Sequence, residues 1–213
     1  MLKKDFPIFE NNLTLVYLDS TASTQKPKYV IEAISSYLSN SYSNIHRWMY
    51  DIAVDSEKMY FDSKKKVAWI IWSKDFREII YTYNSTYALN LLTQTLRYNK
   101  FLKAWDKVLL SITEHHANIV PWLILKNEIW IEIDFVNIDD NYQIDFEDFS
   151  KKLTPNVKVV SFTQVSNVTW SIFDLEKIGE IISSPQPSPE VEGINKPLFI
   201  FDASQSIPHF KID

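Results

Sequence analysis

The sequence predicts an α/β fold with a mainly parallel sheet and helices on both faces. Segments with strand character alternate along the chain with segments of helical periodicity. Several strand segments, such as VKVVSFT at 157–163, are continuous apolar runs. Runs of this kind are typical of parallel strands that helices cover on both faces. Polar motifs follow several of these strands, and the carboxyl ends of parallel strands are where such sheets bind ligands.

The predicted elements follow in chain order. Short apolar stretches predict strands at 15–19, 78–82, 107–112, 131–136, 157–163 and 197–202. Helical periodicity predicts helices at 27–38, where Pro27 suits a first turn, and at 51–71, 85–98, within 113–126, at 145–153 and at 174–182. Segment 183–196 carries three of the nine prolines, which indicates a low-complexity loop insertion within one domain over 1–213.

Composition narrows the class of protein. The chain has 213 residues, of which 46% are hydrophobic, enough for a substantial core. A net charge of -5 argues against nucleic-acid binding. No apolar run reaches the ~18 residues of a membrane span, and the N-terminus lacks the apolar region of a signal peptide. The absence of cysteine excludes a disulfide framework. We therefore expect a cytoplasmic protein that binds neither membrane nor nucleic acid.

The string FIFDASQSIPH contains the strongest single motif. An apolar strand ends in Asp202, and Gln205 follows three residues later. A carboxylate at the end of a buried strand costs free energy unless it is paired. It could pair with a cationic group of a ligand, or it could cap the next helix. The residues alone leave both interpretations open.

Other polar motifs also follow predicted strands. Asn84, Ser85 and Thr86 begin a helix, which suits either phosphate binding or an ordinary cap. Two adjacent histidines, His115 and His116, could bind a metal, but no further ligands lie at metal-site spacing, so we expect no metal.

The motif SFTQVSNVT lies beyond another predicted strand. It places Gln164, Ser166 and Asn167 after the buried run 157–163. These side chains could contact a ligand or simply form a turn. Each motif is weak by itself, and their order along the chain is more specific.

Read in order, the motifs resemble the class V aminotransferase family. The strings are YLDSTAS, NIHR, NST, TEHHANIVPW, VSNVT and DASQSIPH, and the resemblance extends from about Asp5 to Asp213 apart from 183–196. They look most like the cysteine desulfurases that supply sulfur for iron–sulfur cluster assembly. The resemblance implies the large domain of a fold-type I enzyme that depends on pyridoxal 5′-phosphate and acts as a homodimer.

The resemblance also implies roles for individual residues. Ser85 and Thr86 match hydroxyls that bind the cofactor phosphate. His115 matches a catalytic histidine that stacks on the cofactor ring. Asp202 matches the partner of the ring nitrogen, and Gln205 matches the group that bonds the phenolic oxygen.

A second group of residues would bind the substrate. Asn167 matches a residue near the cofactor and the substrate carboxylate. Ala22, His46 and Arg47 match segments that line the substrate pocket. The implied reaction releases sulfur from L-cysteine, giving alanine and an enzyme persulfide that a sulfur-acceptor protein could take up. Alternatives are another class V enzyme, such as a selenocysteine lyase or an epimerase, and a non-catalytic remnant.

The chain also departs from the family pattern. The family's cofactor-binding lysine follows the DASQ strand, and its nucleophilic cysteine and an arginine lie in a C-terminal domain, so we expect all three beyond Asp213 and this chain alone to be incomplete and inactive. Gln164 stands where the family often has histidine. Tyr83 and Asn84 replace an Arg-Gly pair.

The glycine content is unusual. Only Gly179 and Gly193 are present, whereas average usage predicts roughly 15 glycines. Five of the seven tryptophans fall where the family favours glycine: Trp48, Trp72, Trp105, Trp130 and Trp170. One interpretation is a gene in which UGA encodes glycine but was translated as tryptophan. The alternative is a genuine aromatic-rich variant.

Overall fold

The computed structural model describes residues 2–45, 50–184 and 196–210. The chain divides into two compact units, Met1–Ile80 with Ile212–Asp213, and Tyr81–Lys211. His46, Arg47 and most of the predicted insertion at 183–196 lie outside the described residues. One domain over 1–213 stays a prediction. Within the described part of the chain, no helix is long and apolar enough to cross a membrane.

The N-terminal unit is helical. Its helices are α1 (Pro7–Asn11), α2 (Lys28–Asn40) and α3 (Asp51–Ile70). The predictions of helices at 27–38 and 51–71 are confirmed, with Pro27 as the residue before the first turn. Ser56 of α3 is buried, and its hydroxyl donates to the carbonyl of Ser41 at 2.6 Å. This bond ties α3 to the end of α2.

The C-terminal unit contains the sheet. Its elements in order are α4 (Ser85–Tyr98), β1 (Lys107–Ser111), α5 (Val120–Ile129), β2 (Glu132–Val136), α6 (Phe146–Lys152), β3 (Val157–Thr163), α7 (Leu175–Ser183) and β4 (Leu198–Asp202). The strand order is β2-β1-β3-β4, and all three pairings are parallel. A helix connects each strand to the next, as parallel pairing requires. The predicted α/β fold is confirmed.

Helices cover both faces of this sheet. On one face, Leu109 of β1 belongs to a core with Phe149 of α6 and Ile178 of α7. On the other face, Leu110 belongs to a core with Trp122 of α5. None of these five side chains has any exposed surface. Since successive strand residues face opposite ways, a strand buried on both sides must be apolar throughout. This explains the continuous apolar runs in the sequence.

The strands predicted at 15–19 and 78–82 are wrong. Residues 15–19 are irregular, and Val16 and Leu18 are 76% and 90% exposed. Phe76–Glu78 forms a short 3-10 turn, and the residues after it up to α4 are irregular. A strand needs a neighbour to bond its N–H and C=O groups. No described strand pairs with either segment, so apolar character alone was misleading here.

Candidate functional site

The first turn of α4 presents a group of donors. Asn84 is the N-cap, and its side-chain oxygen accepts a hydrogen bond from the N–H of Tyr87 at 2.8 Å. Ser85 and Thr86 therefore occupy the first turn, where backbone N–H groups have no partner inside the helix. Both residues are exposed. Hydroxyls, N–H groups and the positive end of the helix dipole together suit an anion.

The last residue of β4 is Asp202, whose position in the sheet pairs with Thr163 of β3. Its Oδ1 atom accepts hydrogen bonds from the N–H of Ser204, at 2.9 Å, and from the Ser204 hydroxyl. That hydroxyl lies 2.7 Å from the hydroxyl of Ser85. Asp202 thus caps a turn and not a helix, since no helix follows within 203–210, so the helix-cap interpretation is wrong. The serine contacts connect it to the start of α4.

His115 lies directly before a 3-10 turn, His116–Asn118, that follows β1. Its Nδ1 atom accepts a hydrogen bond from the N–H of Ala117 at 3.1 Å. Because Nδ1 is an acceptor here, a neutral ring carries its proton on Nε2. The His116 ring lies 6.4 Å away at a steep angle. Among the described residues, no group of three or more His, Cys, Asp and Glu side chains could hold a metal ion.

The segment after β3 lies beside the end of β4. The N–H of Gln164 donates to the carbonyl of Asp202 at 2.9 Å, so the ends of β3 and β4 are joined. Ser166 is buried, and its hydroxyl accepts a bond from the N–H of Val168 at 3.3 Å. The turn interpretation is therefore correct for Ser166. Asn167 is only half-buried.

These groups meet around one cavity of about 210 Å³. Its lining is Asn84, Ser85, Thr86, His115, Ala117, Thr163, Val165, Asn167, Asp202, Ser204 and Gln205. All six residues predicted from the sequence to bind a cofactor are in this set. The structure therefore brings them together at the carboxyl edge of the sheet, where parallel sheets bind ligands. Their individual roles stay predictions.

Of the residues predicted to bind the substrate, Asn167 lines this cavity. Ala22 lies in an exposed turn of the N-terminal unit. His46 and Arg47 lie outside the described residues. The assignment of Ala22, His46 and Arg47 to a substrate pocket stays a prediction.

A larger and more apolar cavity, of about 480 Å³, shares Ser85, Asp202 and Ser204 with the first. The rest of its lining is almost entirely apolar and includes Leu92 and Ile200. Few polar groups converge in it, so orientation-specific binding favours the smaller cavity.

Glu114 is a further residue near the site, and no motif singled out in the sequence includes its role. This carboxyl group is buried and accepts hydrogen bonds from the hydroxyl of Ser111 at 2.5 Å, the amide of Asn118 at 2.7 Å and the N–H of Thr163 at 2.8 Å. It therefore links the ends of β1 and β3 directly beneath the His115 turn. Burial raises the pKa of Glu114 to about 7; its three hydrogen bonds oppose the shift, and the nearby charge of Asp202 adds to it.

Asn118 completes this buried support. Its side-chain oxygen accepts bonds from the Ser161 hydroxyl at 2.8 Å and from the Trp122 indole N–H at 3.2 Å. Asn118 and Ser161 have no exposed surface. One signal in the sequence could have indicated Glu114: it is a carboxylate that lies shortly after a buried strand and directly before His115.

Comparisons with known proteins identify the family of the chain. The family model described as "Aminotransferase class-V" matches residues 16–213. A protein of Synechocystis named "Probable cysteine desulfurase" is 33% identical over 215 residues, which is all of this chain and 49% of that protein. The chain thus spans about half the length of this relative.

Two solved structures are similar in fold. The apo cysteine desulfurase of Thermococcus onnurineus has a TM-score of 0.85 and 30% identity, over 98% of this chain and 48% of that one. The cysteine desulfurase CsdA of Escherichia coli has a TM-score of 0.81 and 27% identity, over 98% and 49% of the two chains. With a family match over most of its length and this likeness in structure, the chain belongs to the class V aminotransferase family.

Proposed function

We propose that this chain is the cofactor-binding part of a cysteine desulfurase that uses pyridoxal 5′-phosphate. The observation that supports the proposal is the convergence of six polar residues on one cavity at the carboxyl edge of the sheet. Relatives named cysteine desulfurase align with the whole chain. Because the chain spans about half of them, the activity is proposed for the whole protein.

The donors at the start of α4 fit the phosphate group. Ser85 and Thr86 offer two hydroxyls and first-turn N–H groups to a dianionic phosphate. No acidic side chain lies in this turn. The Ser204 hydroxyl donates its only proton to Asp202, so it accepts from the Ser85 hydroxyl, which would turn its proton to the phosphate when the cofactor binds.

Asp202 and Gln205, which also line the cavity, fit the ring. When bound, pyridoxal 5′-phosphate supplies an electron sink that stabilises negative charge developing on the substrate. The Asp202 carboxylate would hold a protonated ring nitrogen, and Ser204 already fixes one oxygen of that carboxylate. The Gln205 amide would bond the phenolic oxygen.

His115 would cover the ring and move protons. Its Nδ1 atom is engaged by the N–H of Ala117, so Nε2 is the atom available to exchange a proton. The bond from Ala117 fixes the orientation of the imidazole, and the buried Glu114 accepts a hydrogen bond from Asn118 at the end of the same turn. Fixed orientation is what a proton-transfer group requires.

The complete reaction would release sulfur from L-cysteine and give alanine and an enzyme persulfide. Asn167 would bind the substrate carboxylate, and Ala22, His46 and Arg47 would line the substrate pocket. We further propose that the whole protein is a cytoplasmic homodimer that passes sulfur to an acceptor protein for iron–sulfur cluster assembly.

Binding of pyridoxal 5′-phosphate to the chain tests the proposed site. We expect saturable binding by calorimetry, with Asp202→Asn weakening it about tenfold to a hundredfold, as loss of a charge-assisted hydrogen bond does. Asp139→Asn is the matched control, because Asp139 caps an exposed turn in the same way and does not line the cavity. Equal affinity for both variants would contradict the role of Asp202.

A further inference from the structure

Four tryptophans have backbone conformations that favour glycine. The φ angles of Trp72, Trp105, Trp130 and Trp170 are 57°, 71°, 64° and 59°. Among the described residues, only Lys100 and Tyr142 join them as non-glycine residues with positive φ. The left-handed region is uncommon for any residue with a side chain and is a genuine outlier for a bulky one. Its concentration in one rare residue type requires an explanation.

The local backbone shows why glycine suits two of these positions. Trp72 follows Ile71, the C-cap of α3, and the N–H of Ser73 donates to the carbonyl of Ala68 at 2.9 Å. This 6→1 bond is the signature of a Schellman motif, whose left-handed residue is usually glycine. Trp130 ends α5 in the left-handed conformation, and its N–H donates to the carbonyl of Lys126 at 3.1 Å.

The other two positions lie in tight turns. The N–H of Trp105 donates to the carbonyl of Trp130 at 2.9 Å in the turn before β1. The N–H of Trp170 donates to the carbonyl of Ser166 at 3.0 Å, in the turn that carries Asn167. Both hydrogen bonds join backbone atoms, so neither depends on the indole ring.

The indole rings at these positions remain largely in solvent. Trp72, Trp105, Trp130 and Trp170 are between 51% and 68% exposed. The rings of Trp105 and Trp130 contact each other edge to face at 6.4 Å, and the Trp170 ring lies 5.8 Å from that of His209. None of the four belongs to a buried core cluster. Burial in a core therefore does not account for the choice of tryptophan.

Two other tryptophans lie within helices and have ordinary backbone conformations. Trp122 lies within α5, is fully buried and donates its indole N–H to Asn118. Trp69 lies within α3 and is 82% exposed. Neither has a positive φ. The six described tryptophans thus separate by backbone conformation, and the four in the left-handed region are among the five at family glycine positions.

We infer that glycine is the native residue at positions 72, 105, 130 and 170, each encoded by a UGA codon that its organism reads as glycine. The chain has only 2 glycines against roughly 15 expected from average usage. Misassigned codons would remove glycines and add tryptophans at the same positions. Trp48, at a fifth family glycine position, lies outside the described residues.

The gene provides the first test. Codons 72, 105, 130 and 170 should be UGA, whereas codons 69 and 122, which encode helical tryptophans, should be UGG. Peptides of the protein purified from its own organism should have the mass of glycine at the first four positions. UGG codons, or peptides with tryptophan, at these four positions would overturn the inference.

Thermal unfolding gives an independent test. Each of Trp72→Gly, Trp105→Gly, Trp130→Gly and Trp170→Gly should raise Tm by about 2–4 °C, because each relieves a strained backbone. Trp69→Gly is the matched control: it removes another exposed indole, but inside a helix, and should lower Tm. A lower Tm in all four variants would contradict the inference, since the native residue should suit its own backbone.

Discussion

The two edges of the sheet in the C-terminal unit differ in the burial of their side chains. At the carboxyl edge, Glu114 and Asn118 are buried and fully paired beneath the candidate site. At the amino edge, Trp105 and Trp130 lie in turns with both rings 64% exposed. Helix α5 connects the two, beginning beside Asn118 and ending at Trp130.

This difference in burial indicates which physical property restricts the choice of residue at each edge. At the carboxyl edge, removing one polar side chain leaves buried partners unsatisfied, which is costly. At the amino edge, the backbone conformation is what matters, and a side chain brings strain with little burial. The same residue type, tryptophan, is thus essential to packing at one end of α5 and unfavourable at the other.

The largest expected effect comes from making the same substitution at both ends of α5. Trp122→Gly should lower the free energy of unfolding by about 3–5 kcal/mol for the lost indole and by about 1 kcal/mol more for glycine within a helix. Trp130→Gly should raise it by about 1–2 kcal/mol. Urea denaturation of the two variants measures both values. Changes of the same sign would contradict the contrast between the edges.

The next effect is a pH dependence that originates at Glu114. Its pKa is 4.5 in the unfolded chain and about 7 when folded, so the folded protein binds more protons between these values. Stability should therefore fall as pH rises from about 4.5 to about 7, by on the order of 3 kcal/mol. Glu114→Gln should remove most of this fall, as measured by denaturation at pH 5 and pH 8.

A matched control is available for that experiment. Glu147 lies on α6 with its side chain 81% exposed, so Glu147→Gln should leave the pH dependence as it is in the original chain. If the stability of Glu114→Gln fell with rising pH as much as that of the original chain, another group would have to cause the fall.

The sequence predicted the four strands of the sheet and the site residues correctly, but it also predicted strands at 15–19 and 78–82 that do not form. Strands such as 157–163 are recognisable because burial on both faces makes them apolar throughout. The segments at 15–19 and 78–82 are equally apolar, but a strand also depends on a partner, which no local pattern contains. The six cofactor-site residues were predicted from their resemblance to family motifs, and these motifs lie at the ends of strands or at the start of a helix on the same edge.

The support beneath the site could not be predicted in the same way. Glu114 bonds Thr163, 49 residues away, and Asn118 bonds Ser161, 43 residues away. Such pairs depend on the register of β1 against β3, which the sequence does not reveal. In contrast, four of the five tryptophans at family glycine positions have left-handed backbone conformations, which depend mainly on local structure.

Chemical-shift changes of backbone amides on addition of pyridoxal 5′-phosphate would locate the cofactor site. We expect the changes to cluster at the carboxyl edge, in 84–87, 115–117, 163–167 and 202–205, which contain the residues that line the cavity. The turns of Trp105 and Trp130 at the amino edge should be unaffected. Changes concentrated at the amino edge, or none at a saturating concentration, would contradict the proposed cofactor site.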